Sequence, residues 1–311
     1  MPNAMPERVN TQRAEVVDAV LRAIDRDGLR WTEPFIHTAT PHNPVTGNRY
    51  RGTNRTNLAA IAVIRGYDDP RWLTWSQIQR AGLRVRKGSR SAVVEKWKLM
   101  PVGTATSDET DTTPAPRMIP RCVGYFNVFN AAEIDGIAPL DAPAPLPQSE
   151  LTAVADRLIE TARCEVRTDK SGGAYYSPRL DLVHMPPREL FVGSTDDERA
   201  EGYVATLLHE LTHATAPAVG RKATGRFGSP DYAREELVAE LGAMFAEADL
   251  GIRARQRDDD PHFVQHAAYL QSWSRMLHDR PGALYAAAGF AERAAAYLVG
   301  RYTATGAVTA A

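Results

Sequence analysis

Apolar residues recur at helical spacing through 8–27, where Val16, Val17, Val20, Leu21 and Ile24 form one stripe and Gly28 ends the pattern. Shorter helices are predicted over 54–64 and 76–81, the second begun by Thr74 after RWLTW. The stretch VRKGSRSAVVEKWKLM (85–100) predicts a turn at Lys87-Gly88 and then a strand of alternating apolar residues. A second strand and a short turn follow in CVGYFNVFNAAEIDGI. Between them, 103–117 (GTATSDETDTTPAPR) lacks periodicity and reads as a flexible excursion between two strands. The Pro- and Ala-rich APLDAPAPLPQSE (138–150) is the better domain boundary, a stiff spacer.

Beyond it, 151–162 predicts a helix, and AYYSPRLDLVHMPP (174–187) two short strands with a bend at Pro178. The next helix begins at Ser194 or Thr195, with Glu198 completing a capping-box pattern. Its buried stripe is Tyr203, Leu207, Leu208 and Leu211. Further helices are expected over 230–250, 261–278 and 282–299. This division gives an N-terminal domain (8–138), a linker (139–150) and a C-terminal domain (151–303).

Composition adds limits. The 311 residues are 43% hydrophobic and 24% charged, enough for two soluble domains with cores of their own. No apolar run approaches the ~20 residues a membrane span needs, and MPNAMPERVNTQRAEV has no apolar signal-peptide core. Two distant cysteines, Cys122 and Cys164, make neither a disulfide framework nor a Cys-type zinc site. A cytoplasmic protein without a membrane partner is expected. The net charge of −1 hides an asymmetry: residues 45–98 hold 12 Lys/Arg against 3 Asp/Glu, a local +9, and the remaining 25 basic and 35 acidic residues carry −10. The basic part is the candidate for a polyanion.

The chemistry concentrates in LLHELTHAT (207–215). His209 and His213 lie four apart, on one helix face, and reach one ion; Glu210 between them is placed to act as general base. A catalytic zinc needs a third protein ligand. The helix AREELVAELGAMFAEADL offers Glu235, Glu236 and Glu240 among core-like Leu237, Val238, Leu241 and Met244, which disfavours a solvated acidic face. Glu236 is assigned as ligand and Glu240 as the acceptor that steadies a histidine N–H, with the reverse assignment open. Arg221, Lys222 and Arg226 read as a solvated loop rather than substrate contacts, His184 as structural, and His262 and His266 as non-ligands.

In the basic half, cations interleave with Tyr50, Tyr67, Trp72, Trp75 and Trp97. Cations neutralise phosphates and exposed rings stack on unpaired bases, the composition of a single-strand-binding surface; a basic domain with buried tryptophans is the competing reading. The best candidates for DNA contact are Arg49, Tyr50, Arg51, Asn54, Arg55, Trp72, Trp75, Arg84, Arg86, Lys87 and Arg90.

The ordered set P-x-N-x-x-TG-x-x-YRG-x-N, GY-x-D-x-RWLTW-x-Q, G-x-x-VRKG, YFNVFNAAEIDG, AYYSPRLDLVHMP, LLHELTHAT, YAREELVAELGAMF and AAYLQSWSRML resembles the ArdC-type antirestriction proteins from about residue 8 to 300. The resemblance implies a small N-terminal α+β domain that binds single-stranded DNA and a mainly helical, zincin-like C-terminal metallopeptidase domain with a small sheet, hence an α+β fold. It also implies one Zn2+ per chain on His209, His213 and a glutamate of EELVAE, with Glu210 catalytic. The setting it implies is a mobile genetic element, where incoming DNA is protected from restriction and a host protein is the peptidase target. Ala214, where the family often has an aromatic residue, and the looser GRKATGRFG segment depart from its pattern. Tyr175, Tyr176 and Tyr232 remain open as oxyanion donors.

Overall fold

In the computed structural model, residues 5–27, 39–102, 117–140, 144, 146–168, 173–222, 229–252 and 272–304 are described. Helix α1 (Glu7–Asp27) is followed by α2 (Gly52–Arg65), β1 (Trp72–Thr74), α3 (Trp75–Arg80) and β2 (Arg84–Val85). Strands β3 (Ala92–Val102), β4 (Arg117–Asn130) and β5 (Ile134–Asp135) complete this half. Then come α4 (Gln148–Glu160), β6 (Glu165–Thr168), β7 (Tyr175–Ser177), β8 (Leu182–Met185), α5 (Asp196–Ala214) and α6 (Pro230–Asp249). Residues 272–279 are helical (α7), and α8 is Gly282–Ala304. The fold is α+β. Gly28, the excursion at 103–116, and the first part of the helix expected over 261–278 lie outside the described residues.

Local chemistry starts these elements where the sequence signals them. Thr74 caps α3 and Thr195 caps α5, each with the reciprocal bond of a capping box, from Gln77 and Glu198. Ser229 caps α6 ahead of Pro230. Gly66 ends α2 in the left-handed region that favours glycine. The turn at Lys87-Gly88 is present, with Gly88 at φ 91, but the strand it leads into begins only at Ala92. Strands β1 and β6 escape the sequence reading, because WLT and EVRT are too short to display a period.

Three sheets result: β1-β4-β3, the pair β2-β5, and β6-β8-β7 with β6 parallel to β8. In the first, β3 is an edge strand whose base is closed by side-chain amides. Gln12 on α1 donates to the Val93 carbonyl and accepts from its N–H, and Asn54 on α2 does the same for Glu95. Two amides thus occupy the ladder positions that a fourth strand would take.

One apolar core runs through both halves of the chain. It joins Val16, Val20, Leu58, Ile61 and Trp72 to Leu151, Leu207, Leu237, Leu284 and Leu298. At the junction Arg55 of α2 is 2% exposed; it pairs with Asp249 of α6, donates to the Phe245 carbonyl and lies over the Phe245 ring. Glu292 of α8 accepts from the Gly52 N–H, and the Tyr285 hydroxyl donates to Asn57. A smaller core of Leu73, Ile78 and Ile134 supports the β2-β5 pair.

Candidate functional site

The site forms where the C-terminal half of α5 crosses the N-terminal half of α6. Close approach rests on one glycine: a Cβ on Gly242 would lie 2.5 Å from the Thr212 methyl, so only glycine lets the helices meet there. Thr212 turns its hydroxyl back to the Leu208 carbonyl and presents the methyl to that contact.

From this crossing His209, His213 and Glu236 converge, each offering one ligand atom within 4.8 Å of the others. His209 Nε2 is 3.5 Å from one Glu236 oxygen, and His213 Nε2 is 3.6 Å from the other. Donors ~2.1 Å from a tetrahedral ion sit about 3.4 Å apart, so the spacing fits a metal. The two ring edges are held by further carboxylates. His213 Nδ1 is 3.0 Å from Glu235, and His209 Nδ1 is 3.3 Å from Glu240. Each imidazole therefore has one nitrogen toward the common point and the other on a carboxylate, the arrangement that orients metal-ligating histidines. Two imidazoles and a carboxylate are a donor set suited to zinc and neighbouring divalent metals.

Electrostatics favour a cation here. Burial alone would pull the His209 imidazole down, but the hydrogen bonds of Glu236 and Glu240 and the charges of Glu210 and Glu236 outweigh it and hold its pKa well above the ordinary value. Glu210, 3% exposed, has its carboxyl raised by burial, against the opposing pull of His209 and His213.

Two residues differ from the sequence expectation. Glu235, which the motif spacing leaves without a role, orients His213. Arg221 is not solvated: it is buried, chelates Glu235 through Nε and Nη2 at 2.9 Å, and donates to the Thr212 carbonyl. A basic residue in a glycine-rich loop carries no sequence signal for such burial. Lys222 is exposed, whereas Arg226, His262 and His266 lie outside the described residues. Of the three tyrosines, Tyr175 stacks on His184, with ring centroids 4.4 Å apart. Tyr176 donates to Asp181, its pKa pushed up to about 12 chiefly by burial, and Tyr232 is half-buried in the first turn of α6.

The proposed DNA contacts separate into three groups. Trp72 is 0% exposed in the core, and Arg55 is enclosed by its carboxylate and carbonyl partners; neither can meet a strand, and both are removed from the set. Asn54 closes the β3 edge with both amide atoms, and Tyr50 is half-buried with its hydroxyl on the Trp72 carbonyl, so these are structural as well. Arg49, Arg51, Trp75, Arg84, Arg86, Lys87 and Arg90 are exposed. Of these, Arg49 already pairs with Asp249, Arg86 with Asp135, and Arg90 with Glu15.

Comparison with known proteins matches both halves in order. Residues 10–129 match the family described as the N-terminal domain of anti-restriction factor ArdC, and 153–290 match the zincin-like metallopeptidases. The metal-free crystal structure of the antirestriction ArdC protein from plasmid R388 is similar at a TM-score of 0.63 and 30% identity, covering 94% of this chain and 98% of that one. Its Mn(II)-bound structure is similar at 0.66 and 29%, covering 93% and 97%. These likenesses imply a divalent metal. The uncharacterized protein y4eC of Sinorhizobium fredii is 34% identical, covering 96% of this chain and 92% of its own length. A DNA primase TraC of Escherichia coli is 34% identical over 90% of this chain, which spans only 26% of that primase. No helix among the described residues is long and apolar enough to cross a membrane.

Proposed function

This chain belongs to the ArdC antirestriction family, and from that membership we propose an antirestriction protein of a mobile element that binds single-stranded DNA and carries a zinc peptidase site. The division of labour follows the domains read from sequence, 8–138 for DNA and 151–303 for the peptidase, in the cytoplasm, with a host protein as substrate. The observation that carries the peptidase reading is the buried convergence of His209, His213 and Glu236, with Glu210 buried on the same helix and within reach of their charges.

His209, His213 and Glu236 would hold the ion, Glu240 and Glu235 orient the two imidazoles, and Arg221 holds Glu235. Zinc bound there would supply a Lewis acid, able to lower the pKa of water and to polarise a carbonyl. Glu210 takes the proton of the attacking water and delivers it to the leaving amine; burial, which raises its carboxyl, suits it to both halves of that exchange. A second reading, a DNA-binding protein whose metal only braces the fold, is favoured by depth, since His209, Glu210 and Glu236 are all under 5% exposed.

One experiment separates the two. Zinc per chain and cleavage of an unfolded protein substrate are measured on the wild type, Glu210→Gln and Glu236→Ala. The peptidase reading expects one zinc in the wild type, loss of zinc in Glu236→Ala, and Glu210→Gln that keeps zinc while cleavage falls by roughly 10²–10⁴-fold. Zinc without cleavage in the wild type would leave the bracing role.

A further inference from the structure

We infer that the single strand runs along one face of the β3–β4 arm, on Lys96, Lys98, Arg121 and Phe126, rather than along the turn residues that composition singles out; the inference rests on the DNA-binding reading above. The register puts Lys96 opposite Gly124, Lys98 opposite Arg121 and Val94 opposite Phe126, so these residues share a face. At its base that face is core, with Ala92, Val94 and Val128 buried. Beyond Val94 it emerges into solvent and turns cationic: Lys96, Lys98 and Arg121 are all exposed.

Three features of this face point to an anion. Lys98 and Arg121 are directly opposed like charges, a pairing that costs stability unless something negative lies between them. No carboxylate among the described residues relieves them. The single acid of β3, Glu95, points to the other face and is engaged by Arg13 and the Trp97 indole, and β4 contains no acid. None of the three cations has an ion pair among the described residues. The third feature is Phe126, whose ring is 46% exposed and lies over Gly124, where a Cβ would come within 3.3 Å of it. Lys96 sits 5.9 Å from the ring centroid. An open aromatic face flanked by cations is what an unpaired base stacks on while its phosphates are neutralised. Two of the four turn cations, by contrast, are answered already, Arg86 by Asp135 and Arg90 by Glu15.

The test is fluorescence anisotropy of a labelled mixed-sequence single strand, titrated at several salt concentrations against the full chain. Three variants accompany the wild type: a Lys96→Thr, Lys98→Thr, Arg121→Thr triple; Phe126→Leu; and an Arg84→Thr, Arg86→Thr, Lys87→Thr triple. The arm triple is expected to lose affinity on the order of tenfold or more and to flatten the salt slope by about 2, near 0.7 per phosphate contact on a single strand. Phe126→Leu keeps the slope and loses roughly tenfold. The turn triple, with the same loss of charge, stays close to wild type. Each variant is checked for an unchanged melting temperature, and should the arm triple fold poorly, the single Arg121→Thr with an expected slope change of about 0.7 replaces it. Wild-type affinity and slope in the arm variants, or a loss confined to the turn triple, would overturn the inference while leaving DNA binding intact. Absence of binding by the wild type would overturn both.

Discussion

At the α5–α6 crossing, the residues that motif spacing singles out all arrive at one place: His209, His213 and Glu236 share a point, and Glu240 stands behind His209. In the basic half, residues chosen for their type alone part company. Trp72 is sealed in the core, while Trp75, three positions on, is 53% exposed; Arg55 is locked between two helices, while Arg51 is in solvent. A helical motif carries its own geometry, because residues four apart lie on one face wherever the helix goes. A basic, aromatic composition has no such internal ruler, so burial is decided by packing from elsewhere in the chain.

The largest effect should separate the two tryptophans. Trp72→Ala empties a fully buried site and is expected to cost about 4 kcal/mol in urea unfolding. Trp75→Ala should cost about 0.5 kcal/mol or less. Equal losses would mean that the exposed and buried rings are not energetically distinct. Next, Arg55→Ala strips the buried partner from Asp249 and should destabilise the chain by about 3 kcal/mol. Because that pair ties α2 to α6, its effect should be the same with or without metal, and a metal-dependent loss would instead tie the basic half to the site.

Gly242→Ala tests the crossing itself. The added methyl has no room against Thr212, so unfolding stability should fall by about 2 kcal/mol and metal uptake should weaken along with it. A Thr212→Ser partner change that restores both would identify that contact as the cause. A smaller effect than that of Gly242→Ala belongs to Glu235→Gln, which keeps the hydrogen bond to His213 but loses the charge shared with Arg221. Zinc affinity measured by competition with a chelator should drop by about tenfold. Unchanged affinity would reduce Glu235 and Arg221 to a plain structural ion pair.

The sequence by itself determined what depends on neighbours a few residues apart. The helix start at Thr74, the capping box at Thr195, and the shared face of His209 and His213 with Glu210 between them were legible from spacing, since local hydrogen bonds and the helical repeat suffice to produce them. The ordered motifs likewise carried the family and the α+β fold. Tertiary structure alone decided the rest. Glu235 rather than open solvent meets His213 because Gly242 lets α6 approach α5, and Arg221 is buried because that approach encloses it. Arg55 and Trp72 were taken out of solvent by α6, α8 and the shared core, and the Arg55 partners Asp249 and Glu292 lie far along the chain from it. Burial is a property of the assembled surface, and a residue's type and near neighbours do not contain it.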